Sequence, residues 1–155
     1  MTPLEGGCTC RAVRYSMHAA PMIVHCCHCR WCQRETGSAF VINAIVETGK
    51  LEVTGETVMV DTPSASGRGQ KIVRCPKCHV ALWSHYPRAG HTLAFVRAGT
   101  LDNPDAVKPD VHIFTSSKLE WVRLPQDARI FPEFYDVPKV WSAEALARAA
   151  AVREI

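Results

Sequence analysis

The sequence contains no run of 18 or more apolar residues, so no transmembrane helix and no membrane partner are expected. Lys and Arg nowhere gather into a block of five or more, which argues against a nucleic-acid-binding tail. Met1-Thr2-Pro3-Leu4-Glu5 lacks the basic start and apolar core of a secretion signal, so a cytoplasmic chain with reduced thiols is expected. There is no internal repeat and no linker long enough to separate two domains. With 155 residues, enough to bury one core, a single domain over 1–155 is expected, with 135–155 as a C-terminal extension carrying a helix.

What the chain does have is cysteine, eight in all, and they are grouped. Four lie with two histidines in His25-Cys26-Cys27-His28-Cys29-Arg30-Trp31-Cys32, and the others form the pairs Cys8/Cys10 and Cys75/Cys78. Thiols one or two residues apart make poor disulfide partners, whereas adjacent thiolates suit the tetrahedral sulfur shell of Zn²⁺. Counting the metal also changes the reading of the formal charge of +3. Seven coordinated thiolates are set against the four charges of two zinc ions, and the apparent basicity disappears.

The apolar pattern is that of strands. Gly6-Gly7 reads as a turn, and Val13, Tyr15 and Met17 alternate along Arg11–Met17 as in a half-buried strand. Met22-Ile23-Val24 leads into the cysteine cluster. Beyond the Thr36-Gly37-Ser38 break, Ala39–Val46, Leu51–Val53 and Thr57–Val60 read as a β-meander. Pro63–Gly69 is loop chemistry; Lys71–Arg74 and Val80–Trp83 flank Cys75-Pro76-Lys77-Cys78 as two strands around a knuckle. Thr92–Val96 and Val111–Phe114 add two more strands. Pro125, Pro132 and Pro138 exclude a long helix before Ser142, which can cap a helix over the Ala-rich segment that follows. Ala151-Val152-Arg153-Glu154-Ile155 could then dock on a second copy, so a homodimer is compatible with the sequence. The fold class expected is mainly β with a short C-terminal helix.

Cys8, Cys10, Cys75 and Cys78 are four sulfurs from two segments, the donor set of a closed structural zinc. No βαβ pattern surrounds Cys75/Cys78, so a thioredoxin-like redox pair is disfavoured. In the central cluster either Cys27-x-Cys29-x-x-Cys32 or Cys26-x-x-Cys29-x-x-Cys32 can bind. Three thiolates from one short loop leave the fourth position of the ion outward, the mark of a catalytic zinc, unless His25, His28 or Cys26 closes the tetrahedron.

Gly6-Gly7-Cys8-Thr9-Cys10-Arg11-Ala12-Val13-Arg14-Tyr15, Cys27-His28-Cys29-Arg30-Trp31-Cys32, Thr36-Gly37-Ser38-Ala39-Phe40 and Cys75-Pro76-Lys77-Cys78, in this order, resemble the glutathione-dependent formaldehyde-activating enzyme family, which also includes a centromere-associated branch. The resemblance covers roughly residues 5 to 125, with His112-Ile113 and Trp121 as weaker matches. It implies a β-tent of antiparallel strands and two zinc ions. One would sit on Cys8, Cys10, Cys75 and Cys78, and the other on Cys27, Cys29 and Cys32, which selects Cys27 over Cys26. Where the family has glycine after the second knuckle cysteine this chain has His79, at a turn that favours a left-handed residue.

The activity implied is that of a carbon–sulfur lyase joining glutathione and formaldehyde into S-(hydroxymethyl)glutathione, or cleaving that or a related thiol adduct. Its partner would be a small-molecule thiol or thiol adduct, and the ligands of the open zinc, Cys27, Cys29 and Cys32, would be its catalytic residues. His28, His85 and His91 are candidate bases. Arg30, Arg34, Arg88 and Arg97 are candidate cations for the carboxylates, and Trp31 either walls the site or anchors its loop. The alternative is a non-enzymatic zinc scaffold for a protein or nucleic-acid partner, as in the centromere-associated branch; that branch carries additional basic sequence which this chain lacks.

Overall fold

Alternation along the strands sorts the side chains of this chain onto two buried faces. The computed structural model describes residues 2–152. Its N-terminal sheet has three antiparallel strands in the order β1 (Leu4–Gly7), β2 (Arg14–Met17), β5 (Leu51–Thr54). The second sheet has eight: β3 (Ile23–Cys27), β4 (Val41–Glu47), β6 (Val58–Thr62), β7 (Gln70–Arg74), β8 (Ala81–His85), β9 (Leu93–Arg97), β10 (Val111–Ile113) and β11 (Arg129–Ile130). They run in the spatial order β11-β10-β3-β4-β9-β8-β7-β6.

Val41-Ile42-Asn43-Ala44-Ile45-Val46 is nearly continuous in apolar character because β4 is covered on both sides. On one face Val24, Ala44, Val46, Leu82 and Val96 pack with Val13, Tyr15 and Met17 of the small sheet. On the other, Ile23, Val41, Ile45 and Leu93 belong to one cluster with Tyr135, Ala145 and Ala149 of the C-terminal segment. That segment folds as α2 (Val137–Val140) and α3 (Ala143–Ala151). Ser142 caps α3 as expected, its hydroxyl accepting from the Ala145 N–H at 3.1 Å. Arg148 on α3 ties the helix to β4 through Glu47, at 2.8 and 2.6 Å.

The mainly β expectation is met, with four local corrections. The meander is real from β6 to β9, but β5 leaves it to pair with β2, and so does not join β6. Two pairings at one edge, β10 with β3 and β10 with β11, are parallel. Gly6-Gly7 ends a strand instead of forming a turn: a Cβ on Gly6 would fall 2.4 Å from the Tyr15 ring. The cysteine loop after β3 is largely a helix, α1 (Arg30–Thr36), closed by Gly37 in the left-handed region at φ 62°. At seven residues α1 is too short to show an apolar stripe. The end of the expected docking segment, Arg153-Glu154-Ile155, and Met1 lie outside the described residues.

Candidate metal centres

The first centre joins the two sheets. The turn between β1 and β2 carries Cys8 and Cys10, and the turn between β7 and β8 carries Cys75 and Cys78. Their Sγ atoms lie within 4.8 Å of one another, with Cys8–Cys10 at 3.5 Å and Cys10–Cys75 at 3.6 Å. Sulfurs around a tetrahedral Zn²⁺ stand about 3.8 Å apart, given a bond of about 2.3 Å. The four thiols could therefore hold such an ion with small adjustments. Backbone N–H groups of Val13 and Lys77 point at the Cys8 and Cys75 sulfurs, at 3.3 and 3.4 Å. The Cys78 thiol is drawn down to about 6 by hydrogen bonds from the backbone of Cys10 and Val80. His79 follows in the left-handed region, φ 60°, as the knuckle requires. Its N–H donates to the Cys75 carbonyl at 2.9 Å, and its imidazole joins no cysteine cluster among the described residues.

The second group sits at the junction of β3 and α1. Cys27 ends the strand, Cys29 is the N-cap of the helix and Cys32 lies in its first turn. The three sulfurs fall within 4.8 Å, and each residue is 5% exposed. The backbone N–H of Cys32 donates to Cys29 Sγ at 3.3 Å, and Cys32 Sγ to Cys27 Sγ at 3.5 Å. Protons are unevenly shared. The neighbouring thiols of Cys27 and Cys32 draw the Cys29 thiol down to about 3, and the same crowding with Cys29 and Cys32 pushes Cys27 up. Cys32 is pulled down by Cys27 but pushed further up by Cys29 and burial, to about 12. One thiolate among three buried thiols is the state from which a cation displaces the remaining protons. Among the described residues no fourth Cys, His, Asp or Glu joins this group.

Residues 3–117 match the family model described as glutathione-dependent formaldehyde-activating enzyme. The chain belongs to that family. Both cysteine groups lie inside the matched span. Among solved structures, a Rhodobacter sphaeroides protein solved as a structural-genomics target is similar at 19% identity; the alignment covers 68% of this chain and 97% of that chain, with a TM-score of 0.48. No curated protein is similar enough in sequence to match.

Beyond the thiols, this member of the formaldehyde-activating family places its candidate residues unevenly. His85 has both nitrogens engaged: Nδ1–H donates to the Leu93 carbonyl at 2.8 Å, and Nε2 accepts from the Trp83 indole at 3.2 Å. It has no lone pair left for a proton. His91 is exposed beside it. His25 accepts a 2.5 Å hydrogen bond from the Tyr135 hydroxyl, which accepts in turn from Trp141 at 2.7 Å; burial lowers His25 to about 4, so it stays neutral. Cys26 and His28 face away from the thiol trio, toward His112. None of the three supposed closing ligands therefore sits in the second group. Trp31, 43% exposed on α1, is no core anchor.

Of the four arginines, Arg30, Arg34 and Arg88 are on the surface. Arg97 is 6% exposed; its guanidinium donates to Asn43 Oδ1 and to Ser84 Oγ, and its buried Nε has no partner among the described residues. Its charge acts to lower the Cys32 thiol, and it also lines a cleft of about 550 Å³ with Glu35, Phe40, Arg74, Cys78 and His79. The sequence reading missed Tyr86. Burial pushes this phenol well up, so it keeps its proton, and it stands close enough to Cys32, Cys27 and Cys29 for their charges to act on it. Only its place directly after a strand hinted at this.

Proposed function

We propose that the chain is a zinc-dependent carbon–sulfur lyase acting on adducts of a thiol and a small carbonyl, with S-(hydroxymethyl)glutathione as the adduct its family description suggests. The observation that carries this reading is the second group: three buried sulfurs converge with, among the described residues, no fourth side-chain ligand in the cluster. Cys27, Cys29 and Cys32 would hold one zinc with a position left for the substrate sulfur, and Cys8, Cys10, Cys75 and Cys78 a structural one. A zinc there supplies the means to bind a thiol, ordinarily near pKa 8.5, as the thiolate at neutral pH.

The chain's own residues do the rest. Arg97 links the cleft to the thiol trio and offers the cation that a glutathione carboxylate needs, while Arg74, on the same cleft, is already paired with Glu35. In the forward direction the thiolate electron pair forms the bond to the formaldehyde carbon, and the C=O π pair moves to oxygen. That oxygen takes one proton, to be supplied by solvent or by a protonated neighbour of the trio such as Tyr86. In reverse the hydroxyl proton leaves, the carbonyl reforms and the carbon–sulfur pair returns to sulfur.

The test is two-dimensional exchange NMR on glutathione and formaldehyde at equilibrium, with the spontaneous rate subtracted. The wild type is expected to accelerate exchange between free and hydroxymethylated thiol, and Cys32→Ser to return it to the uncatalysed rate while still holding the structural zinc. A wild-type rate no faster than buffer would sink the lyase and leave the non-enzymatic scaffold.

A further inference from the structure

The eight-residue cysteine-histidine stretch feeds two faces of the sheet. Cys27 turns to the thiol trio. Cys26, its neighbour on β3, points the other way, since successive strand residues alternate. His28 follows on the same side as Cys26, and its backbone N–H donates to the Ile113 carbonyl at 3.0 Å, prolonging the pairing with β10. In the register of that pairing His112 stands beside Cys26. A thiol and two imidazoles from adjacent strands thus meet, with Cys26 Sγ 3.5 Å from His28 Nε2 and His28 Nε2 3.1 Å from His112 Nδ1.

We propose that Cys26, His28 and His112 form a third metal site, one that takes Zn²⁺ through one thiolate and two imidazole nitrogens. The spacing is that of a coordination shell. Bonds of about 2.3 Å to sulfur and about 2.05 Å to nitrogen put tetrahedral S···N pairs about 3.6 Å apart and N···N pairs about 3.3 Å apart. All three donor atoms lie within 4.8 Å. Hydrogen bonding alone serves the cluster poorly. His28 Nε2 bears either one proton or one lone pair, yet it faces both the Cys26 sulfur and the His112 nitrogen. A cation accepts all three lone pairs at once and puts the imidazole proton of His28 on Nδ1, a buried atom with no hydrogen-bond partner among the described residues.

The surroundings hold the donors in place. His28 is fully buried, with the Phe40 ring edge-on at 5.4 Å. Its carbonyl accepts from Gln33 Nε2 at 2.7 Å and Ser117 Oγ at 3.1 Å, and Gln33 also donates to the Ser117 carbonyl at 2.9 Å. Half-buried His112 offers the ion its way in. Binding releases the Cys26 thiol proton to solvent, and the fourth position takes water or a small ligand.

Zinc content of the full chain, measured by plasma emission after passage over a chelating resin, tests the site without reference to turnover. Cys26→Ala and His112→Ala are each expected to hold one zinc fewer per chain than the wild type. With Co²⁺ in place of zinc, Cys26→Ala is expected to lose one eighth of the thiolate-to-cobalt absorption, its share of the eight cysteines. Unchanged zinc in His112→Ala overturns the site, and it does so even if Cys26→Ala fails to fold. Loss of three thiolates' worth of cobalt absorption in Cys26→Ala also overturns it, because the ion lost is then that of the trio. Cys32→Ser separates the two readings: it removes the trio's ion and is expected to leave the zinc on Cys26, His28 and His112.

Discussion

Replacing Arg148 with Met should loosen the whole C-terminal face and, with it, the cover of the thiol trio. Arg148 donates twice to the Glu47 carboxylate, at 2.8 and 2.6 Å, and once to the Ala20 carbonyl at 2.9 Å. Glu47 is 7% exposed, so the variant strands a buried carboxylate, a change that costs about 3 kcal/mol at the low end of its range. In a domain of this size that lowers Tm by roughly 6–12 °C at neutral pH. Arg148 holds the Glu47 carboxyl below its ordinary value of 4.5. The pair therefore stabilises the fold above that value and stops doing so as pH falls through the lowered one. As pH falls from neutral to 3, the gap between variant and wild type should accordingly narrow toward about 1 kcal/mol, the worth of a neutral hydrogen bond. Thermal unfolding of the reduced, metal-free proteins at both pH values measures this. Labelling with a thiol reagent at neutral pH should run faster in the variant at Cys27, Cys29 and Cys32, which share a buried cluster with Ala145 and Ala149 of α3. A neutral-pH loss under about 1 kcal/mol with unchanged labelling, or a gap that persists at pH 3, refutes the account.

Other substitutions probe the remaining parts. His79→Gly should raise stability by about 1 kcal/mol in chemical denaturation, because the left-handed φ of 60° strains any side chain and this one is exposed. Gly6→Ala should cost roughly 2–3 kcal/mol in the same assay: the new methyl meets the Tyr15 ring at 2.4 Å and the Thr100 carbonyl at 2.7 Å, and neither is free to move away. Arg97→Lys keeps the charge but loses the fork that serves Asn43 and Ser84. In the exchange assay it should slow turnover of glutathione at least tenfold while affecting a thiol without carboxylates far less, and equal loss for both substrates would remove Arg97 from substrate binding.

Local features of the chain were legible where a residue's neighbours in sequence decide its conformation. Val13, Tyr15 and Met17 alternate and are all buried; Ser142 caps a helix; His79 takes the left-handed turn that the spacing of Cys75 and Cys78 demands. What escaped was decided at long range. β5 departs from the meander because β2, some 35 residues earlier in the chain, offers it a partner from Arg14 to Met17. Arg97 is singled out from four arginines only by its register with Asn43, and Tyr86 only by its nearness to thiols 54 or more residues away.

The central cluster shows the same limit most sharply. Read as a string, Cys26 and Cys27 compete for one ion, and two imidazoles wait to complete it. Strand geometry removes the competition, since adjacent residues of β3 must face opposite sides. Alternation alone, however, cannot say that the side given to Cys26 holds anything. That depends on β10 arriving parallel to β3, in a register that sets His112 beside Cys26 and Ile113 beside Cys27. A shift of one residue would point His112 to the opposite face and bring an apolar side chain to the thiol instead. The donors of this cluster thus owe their meeting to an edge pairing with a strand of three residues, Val111–Ile113. Weakening that pairing should disperse Cys26, His28 and His112 while leaving Cys27, Cys29 and Cys32, held between β3 and α1, in place.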